Sequence, residues 1–476
     1  MFPSSPAAPP SDPLLRLSAV ELVRLLRTRQ VGAVELLRAV LQRADEITEP
    51  VNPFAVRLDE RALAAAAESD RRIAAGAARS LEGLPVTAKD SQWMAGVPTT
   101  SGSHARDGWQ PPGTVGAVRR VLDAGAVVFA KTTTSEFCYF GTSTAPGFGV
   151  TANPHDLTRT AGGSSGGAAA QVAAWAGPVG LGGDGGGSIR IPAALCGLVG
   201  HKPTFGLVPH EPSGPTWKTL IAIGPLTRTV GDAQLLMDVL AGYDPADRHS
   251  VVPPAMPGRS GLRVAVSPDL GFAALDDDVR ERFEAAVEAL AGAGVQIVRA
   301  HPGVRDSLVT WATIATAEAR WAESAVLEES PELLSPQVRD YLAFGETVTA
   351  EAYLRAQFAR DRIHAAYTAF FAKTGAHALF TPTLGCVAFA GDREYPERIG
   401  DQAVDTVWRD WAPLLCDANL TGMPATTVPI GQDEARLPIG GHFVAPRFGD
   451  RTTLRLAGLL ASVVADVVSK PTPTAR

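Results

Sequence analysis

The sequence predicts an α/β fold: a single large domain with a central mixed β-sheet covered by helices on both faces. Short apolar runs, which are typical of buried strands, alternate along the chain with longer stretches of helical periodicity. The chain has 476 residues, of which 45% are hydrophobic, so it can bury a large core without disulfide bonds. Strands interleaved with helices are typical of a sheet with helices packed on both sides.

The N-terminal region is predicted to be helical after a short tail. Residues 1–12 are rich in Pro, Ser and Ala and are expected to be disordered, so the domain is predicted to cover 13–470. Ser18 and Glu21 have the spacing of a capping box, which predicts the start of the first of two amphipathic helices. A third helix is predicted over 61–75.

Strands and helices then alternate to the C-terminus. Strands are predicted at 84–88, 126–130, 179–182, 262–266, 295–298, 378–381 and 426–429. Helices are predicted at 114–124, 230–241, 276–293, 305–327, 350–374 and 450–466. The segment 244–259, rich in Pro and Asp, marks a softer boundary, and the block 305–374 predicts a helical lobe packed on the sheet.

Charge and composition exclude several classes of protein. The formal net charge is −7 and no run of basic residues occurs, which argues against a nucleic-acid partner. No stretch of 18 apolar residues and no signal-peptide pattern are found, so we expect no membrane span and a cytoplasmic protein. The four cysteines form no C-x-x-C pair and the nine histidines no H-E-x-x-H, so neither a metal nor an organic cofactor is expected. A homodimer is left open.

The most informative segment is the glycine-rich stretch 160–206. Glycine is entropically costly in a folded chain and is expected where the backbone must approach a ligand. One interpretation is dinucleotide binding, because 180–185 matches G-x-G-x-x-G. However, Pro192 interrupts the helix that should receive a pyrophosphate, and no Walker lysine follows the glycines.

A second interpretation is a nucleophile elbow, because 162–166 fits G-x-S-x-G. It needs a later acid and a histidine, for which His377 and His442 are available. It leaves the second glycine cluster, at 182–187, without a role.

A third interpretation uses both glycine clusters and a lysine. The backbone N–H groups of Gly185, Gly186 and Gly187 could hold an oxyanion while Ser188 attacks a carbonyl. Ser188 would then need a base, and the Ser164 hydroxyl could relay its proton to a neutral, buried Lys89. For an isolated lysine, a surface position at a strand end is the simpler interpretation, so the residues alone leave the role of Lys89 open.

Three stretches of the chain resemble the motifs of the amidase signature family. They are Val86-Thr87-Ala88-Lys89-Asp90, Arg159-Thr160-Ala161-Gly162-Gly163-Ser164-Ser165-Gly166-Gly167 and Gly183-Asp184-Gly185-Gly186-Gly187-Ser188-Ile189-Arg190-Ile191-Pro192-Ala193. They occur in the family's order and close to its separations. Flanking stretches, among them Asn419-Leu420-Thr421-Gly422-Met423-Pro424, extend the likeness to roughly residues 15 to 466. The resemblance implies the amidase signature fold, with a catalytic domain over the whole of that range.

The resemblance also implies roles for individual residues. Ser188 would be the nucleophile, Ser164 the bridging hydroxyl after a cis peptide bond, and Lys89 the base of a Ser–cis-Ser–Lys triad. Ser165 would be a supporting hydroxyl. Asp184 and Arg190 are interpreted as an ion pair that fixes the nucleophile's loop.

The implied activity is hydrolysis of C–N bonds in small amides through an acyl-enzyme. The neighbouring aromatic residues favour an apolar or aryl substrate group; they are Trp93, Phe137, Tyr139, Phe140 and Trp217. Carbamates present the same carbonyl and are the alternative substrate class. A transamidation subunit, which would need partner proteins, is a further alternative.

The chain departs from the family pattern in places. Many members have Thr or Ile where Gly185 stands, and the Gly-Gly-Gly-Ser form resembles linear and cyclic amide hydrolases more than transamidase subunits. His201 replaces a usual leucine and is expected to be a packed core residue. These departures bear on the substrate and leave the catalytic chemistry intact.

Overall fold

The computed structural model describes residues 10–254, 261–305, 307–404 and 411–468. Its strands are β1(Phe54–Arg57), β2(Pro85–Lys89), β3(Val127–Thr132), β4(Thr144–Ala145), β5(Gly149–Val150), β6(Ala152–Asn153), β7(Asp156–Thr160), β8(Val179–Asp184), β9(Val199–Lys202), β10(Ala222–Thr227), β11(Arg263–Val266), β12(Gln296–Arg299), β13(Ala378–Pro382), β14(Arg398–Ile399), β15(Gln402–Ala403), β16(Ala425–Gln432) and β17(Pro438–Val444). Its helices are α1(Ala19–Arg27), α2(Ala33–Val51), α3(Asp59–Ala74), α4(Gly116–Asp123), α5(Gly166–Ala173), α6(Arg190–Leu195), α7(Val230–Leu240), α8(Asp277–Gly292), α9(Ser307–Ala322), α10(Ser324–Glu329), α11(Pro336–Glu346), α12(Ala350–Thr374), α13(Cys416–Leu420) and α14(Asp450–Val468).

Eleven of the strands form one mixed sheet, in the order β1-β3-β2-β8-β10-β9-β16-β17-β13-β11-β12. Strand β2 is parallel to both β3 and β8, and β11 is parallel to both β12 and β13, whereas the remaining pairs are antiparallel. Helices including α3, α5, α7 and α14 pack against the sheet. The predicted α/β fold with a mixed, helix-covered sheet is confirmed.

All seven predicted strands are present, with ends that shift by a few residues. The prediction missed β1, β9, β10 and β17 of the central sheet, of which β10 and β17 contain Gly and Pro and so read as turns. In β10 the glycine has a packing reason. A Cβ on Gly224 would lie 2.1 Å from the His201 carbonyl oxygen, so only glycine lets the two segments approach.

Some predicted boundaries are wrong. The helix predicted over 305–327 is two helices, α9 and α10, because the chain leaves helical geometry at Glu323, whose side chain is buried. The predicted disordered tail is ordered from residue 10 onward: Asp12 accepts from the Leu14 N–H, and Arg16 donates to the Pro10 carbonyl. Residues 1–9 of that tail, 255–259 of the softer boundary and 469–470 at the end of the predicted domain lie outside the described residues.

The lobe predicted at 305–374 consists of α9, α10, α11 and α12, and its apolar core continues into the candidate site. Trp311 of α9 packs in the same buried cluster as Phe137, Tyr139 and Trp217. His201 is fully buried, with Thr426 and Asp450 as partners of its ring nitrogens, as expected of a core residue. Within the described ranges, no helix combines the length and hydropathy that a membrane span requires.

Candidate active site

Two of the predicted site residues are in direct contact. Lys89 is the last residue of β2, and Ser164 lies in the glycine-rich loop between β7 and α5, after a cis peptide bond from Gly163. The Lys89 Nζ and Ser164 Oγ atoms are 2.6 Å apart, and both side chains are buried. The glycine before Ser164 is required by packing, because a Cβ there would lie 2.2 Å from the Thr142 carbonyl oxygen.

The environment of Lys89 favours the neutral amine. Complete burial lowers the pKa of Lys89 below its ordinary value, because the charged form loses its hydration. The Cys138 thiol and the Asp184 carboxylate act in the opposite direction and do not outweigh burial. A lysine in this state can accept a proton from the hydroxyl that it contacts.

Ser188 lies in the loop between β8 and α6 and lines the same pocket as Lys89 and Ser164. Ser165 ties the two loops together. Its N–H donates to the Ser188 carbonyl at 3.1 Å, and its hydroxyl accepts from the Gly183 N–H at 3.2 Å. Ser165 therefore holds the backbone on both sides of the candidate nucleophile.

Asp184 and Arg190 form a buried, bidentate ion pair under this loop. The two nitrogen–oxygen distances are both 2.9 Å, and neither side chain is exposed. Burial works against the charge, yet the Arg190 guanidinium holds the pKa of Asp184 well below its usual range. Neither residue lines the pocket, so the pair has the geometry of the loop support that the sequence predicts.

Asn419 is a further part of this support. Its amide Nδ2 donates to the Asp184 carbonyl at 2.8 Å, and its Oδ1 accepts from Arg190 at 2.6 Å. The stretch around Asn419 resembles the family, but no role for this residue was predicted. One indication of such a role was available in the sequence: Asn419 is a single amide side chain beside the apolar Leu420, in a segment that the resemblance covers.

The three glycines before Ser188 are not equivalent. The Gly187 N–H, predicted as an oxyanion donor, instead donates to Asp184 Oδ1 at 2.8 Å, because the carboxylate lies beneath the loop. Gly185 and Gly186 pack against indole rings: an added Cβ would lie 2.7 Å from Trp217 or 2.6 Å from Trp311. The Trp311 indole N–H also donates to the Gly185 carbonyl at 2.7 Å, which fixes the direction of that peptide.

Three of the five aromatic residues near the motifs fall at the pocket, and their contacts differ. Trp93, Phe137 and Trp217 line the pocket, which encloses about 760 Å³ including space open to solvent. Tyr139 lies behind this wall with its hydroxyl 3.5 Å from Glu323, and Phe140 lines a separate cavity. Three of these rings therefore line the pocket, and the other two lie away from it.

The charged side chains at the pocket wall are paired. Arg106 Nη2 lies 3.0 Å and 3.2 Å from the two carboxylate oxygens of Glu323, which is almost fully buried. The Arg106 guanidinium also lies 4.9 Å above the Phe137 ring. Apart from Arg106, Lys89 is the one lysine or arginine among the described residues that line the pocket.

The alternative interpretations of the glycines do not fit this geometry. His442 is buried against Arg190, at 3.1 Å, and His377 lies immediately before β13; neither lines the pocket. Burial lowers the pKa of His442 well below its ordinary value. The helix after 180–185 is α6, with six residues, which is too short for the helix of a dinucleotide site. Within the described ranges, no three His, Cys, Asp or Glu side chains cluster as metal ligands would.

Three further pocket residues were not predicted as site residues. Cys138, at a positive φ of 66°, places its thiol beside Lys89. Gln92 and His210 also line the pocket, and both are buried. Gln92 follows the Lys89-Asp90 motif closely and could have been suspected, whereas nothing local marks His210.

Comparisons with known proteins identify the family and the fold. A family model described as Amidase matches residues 35–454. A glutamyl-tRNA(Gln) amidotransferase subunit of Gloeobacter violaceus is 34% identical, over 88% of this chain and 90% of its own. A solved amidase structure is 31% identical with a TM-score of 0.86, covering 94% of this chain and 99% of its own. A bacterial aryl acylamidase of the amidase signature family has the same fold, with a TM-score of 0.87 at 24% identity, over 97% of this chain and all of its own.

Proposed function

This chain belongs to the Amidase family, whose members act on C–N bonds, and from that premise we propose that it hydrolyses small neutral amides, with aryl amides preferred. The observation that carries the proposal is the 2.6 Å contact between Lys89 and Ser164 in a pocket that Ser188 also lines. A neutral lysine, a bridging hydroxyl and a serine at the pocket surface are the groups that an acyl-transfer reaction needs.

In the proposed mechanism, Ser188 Oγ attacks the substrate carbonyl carbon while its proton passes to Ser164 Oγ. The Ser164 proton passes in turn to Lys89 Nζ, which is suited to accept it because burial lowers the pKa of this amine. The backbone N–H groups of Gly185 and Gly186 stabilise the oxyanion. The proton then returns to the leaving amine, and water removes the acyl group from Ser188 by the same route.

The pocket supports a neutral, partly aromatic substrate. Trp93, Phe137 and Trp217 supply apolar surface, and the Arg106 charge is neutralised by Glu323. An amino-acid amide such as glutamine carries a carboxylate, which in a buried site needs an unpaired cation. The paired wall therefore favours substrates without a carboxylate.

A transamidation function within a larger complex is the second candidate, because the relative at 34% identity is named as part of an amidotransferase. In that role the chain would depend on partner proteins and would release little amine on its own. The neutral pocket wall and the Gly185-Gly186-Gly187 loop favour hydrolysis over this alternative.

The test is a substrate panel with the purified chain alone. Acetanilide, propionamide, phenyl N-methylcarbamate and glutamine are compared by release of amine, phenol or ammonia, with Ser188→Ala as the blank. We expect acetanilide to be cleaved fastest and glutamine to be inert. Faster cleavage of the carbamate would make the chain a carbamate hydrolase. Activity on glutamine that appears only with added partner chains would replace our proposal with the transamidation function.

A further inference from the structure

The pocket contains buried hydrogen-bonding atoms that the proposed mechanism does not use. In the described part of the chain, His210 Nε2 and Gln92 Oε1 are buried without a hydrogen-bond partner, and both residues line the pocket. Their side chains are more than nine-tenths buried. The Trp217 indole Nε1, a donor, is a third buried atom that is unpaired within the described residues, and Trp217 also lines this pocket. Buried polar atoms in native proteins are nearly always paired, so unpaired atoms on three residues of one pocket point to a ligand.

The partners of His210 determine which ring nitrogen carries the proton. Asp247 Oδ2 accepts from the His210 backbone N–H at 2.8 Å and lies 3.2 Å from Nδ1. Because a carboxylate only accepts, its position beside Nδ1 favours the tautomer with the hydrogen on Nδ1, and a neutral ring then presents Nε2 as an acceptor. Burial lowers the pKa of His210 and so favours the neutral ring, although Asp247 and Glu211 act in the opposite direction.

No other group captures His210 Nε2 among the described residues. Glu211 Oε1 is 3.9 Å away, beyond hydrogen-bond distance, and it is already paired with Lys218. The ring is held in place by packing, since it stacks on His249 with centroids 6.0 Å apart. His210 Nε2 is thus a fixed acceptor at the pocket wall.

Gln92 supplies a second acceptor by the same reasoning. Its Nε2 donates to the Gly182 carbonyl at 3.0 Å. A carbonyl cannot donate, so the amide cannot be flipped, and Oε1 is the atom left over. Gln92 lies three residues after Lys89, which places this acceptor near the reacting centre in sequence.

We propose that His210 Nε2 and Gln92 Oε1 form an acceptor subsite that selects amide substrates carrying an additional N–H or O–H donor. The inference rests on the proposed function and specifies its substrate class: hydroxyaryl or aminoaryl amides over their O- or N-alkylated analogues. A substrate without the donor leaves both acceptors buried and unpaired, which penalises its binding.

The test compares matched substrates that differ in one donor. Hydroxyacetanilide and methoxyacetanilide place the substituent on the amine side, and hydroxybenzanilide and methoxybenzanilide place it on the acyl side; para and meta isomers are used. The two substituents are similar in electron donation, so a difference in kcat/KM reports the hydrogen bond. We expect the hydroxy compound to be favoured about tenfold in at least one series.

Three variants test the assignment. The preference is the ratio of kcat/KM for the hydroxy substrate to kcat/KM for the methoxy substrate. His210→Phe keeps the ring stack and removes the acceptor, so this ratio should fall toward one. His210→Gln retains an acceptor oxygen and should restore part of the preference, whereas Gln92→Leu should lower the preference. The matched control is His301→Phe, an exposed histidine away from the pocket, which should keep the wild-type preference.

The outcomes separate this inference from the proposed function. A preference near one in all series, or a preference that His210→Phe and Gln92→Leu leave unchanged, overturns the acceptor subsite while anilide hydrolysis stands. If no anilide is hydrolysed, the proposed function fails, and calorimetric binding of the hydroxyacetanilide decides the subsite. About tenfold weaker binding to His210→Phe than to wild type supports it, and equal or absent binding overturns it.

Discussion

The Lys89 amine lies 2.6 Å from the Ser164 hydroxyl although 75 residues separate them in the sequence. The contact forms because β2 ends beside the loop that precedes α5, and because β2 is parallel to β8, which leads into Ser188. Lys89, Ser164 and Ser188 therefore come from three separate chain segments and line a single pocket. Burial of Lys89 and Ser164 excludes water from the contact, which strengthens it and favours the neutral amine.

The first prediction concerns the pH dependence that follows from Lys89. Burial lowers its pKa below the ordinary 10.5, and the base must be neutral to act. Activity should therefore rise as pH increases through this lowered pKa and then level off. Lys89→Ala should remove the rise together with most amide hydrolysis, measured as kcat/KM across the neutral and alkaline range. Lys89→Arg should not restore it, because guanidinium keeps its proton. Unchanged profiles in both folded variants would exclude Lys89 as the base.

The second prediction separates the two serines. Ser188→Ala should abolish turnover, since the acyl group would have no acceptor. Ser164→Ala should lower amide hydrolysis by about 10²–10⁴-fold, the usual contribution of proton transfer, and should affect a phenyl ester less because phenolate needs less protonation to leave. Product release from the amide and from the phenyl ester is measured after a fixed reaction time.

His442→Ala is the comparison for the serine variants. His442 contacts Arg190 and does not line the pocket, so catalysis should survive if the protein folds. A dead His442→Ala beside a fully active Ser164→Ala would restore the nucleophile elbow and remove the lysine mechanism.

Much of this site could be predicted because its chemistry sits in three local motifs. Lys89, Ser164 and Ser188 are each embedded in a distinctive stretch, and the structure places all three at one pocket. Gly187 could not be assigned from sequence, because the direction of its N–H depends on Asp184 lying beneath the loop. His210 could not be predicted for a related reason: its role depends on Asp247, 37 residues away, whose carboxylate accepts from the His210 backbone N–H and lies 3.2 Å from Nδ1 of its ring.

The fold shows the same division between local and long-range information. Strands such as β13, with the apolar run Ala378-Leu379-Phe380, were predicted because their residue types favour buried strands. Strand β17 has two glycines where Gly440 packs on Ala194 and Gly441 on Phe380, so the residues that look like a turn are set by neighbouring segments. Only the tertiary structure supplies that reason.

The third prediction tests the glycine loop. In Gly186→Ala the new Cβ would lie 2.6 Å from the Trp311 ring, which also holds the Gly185 carbonyl. The loop must shift, and loss of one oxyanion donor should lower kcat by about 10²–10³-fold with a smaller effect on KM. Gly292→Ala is the control, since nothing lies within 4 Å of its added Cβ. A folded Gly186→Ala protein with wild-type kcat would contradict the oxyanion assignment.

The fourth prediction concerns stability and Lys202, which is buried beside Arg190. Burial and the nearby Arg190 charge lower its pKa from 10.5 to about 7. Between these values the unfolded chain binds a proton that the folded chain does not, so the free energy of unfolding should rise with pH. Over two pH units above neutrality this amounts to about 2 kcal/mol.

Lys202→Met should remove that contribution. In calorimetry, the melting temperature of wild type minus that of Lys202→Met should therefore increase by a few degrees from neutral to mildly alkaline pH. Lys373→Met, at an exposed position on α12, should follow wild type at both pH values. Parallel curves for wild type and Lys202→Met would mean that Lys202 is charged in the folded protein.

The last prediction alters the charge of the pocket wall. Arg106 is held by Glu323 at 3.0 Å and 3.2 Å, and Glu323→Gln keeps the side-chain shape while removing the negative charge. The unpaired guanidinium should then attract a carboxylate, so KM for succinanilic acid should fall about tenfold at mildly alkaline pH while KM for acetanilide stays near wild type.

Glu328→Gln, on an exposed side chain of α10, is the matched control and should change neither value. High salt should reduce the gain, because an attraction between partly exposed charges is screened. If both substrates lose activity equally, Glu323 acts by supporting the wall through Arg106 and Tyr139, and charge pairing does not explain the preference for neutral amides.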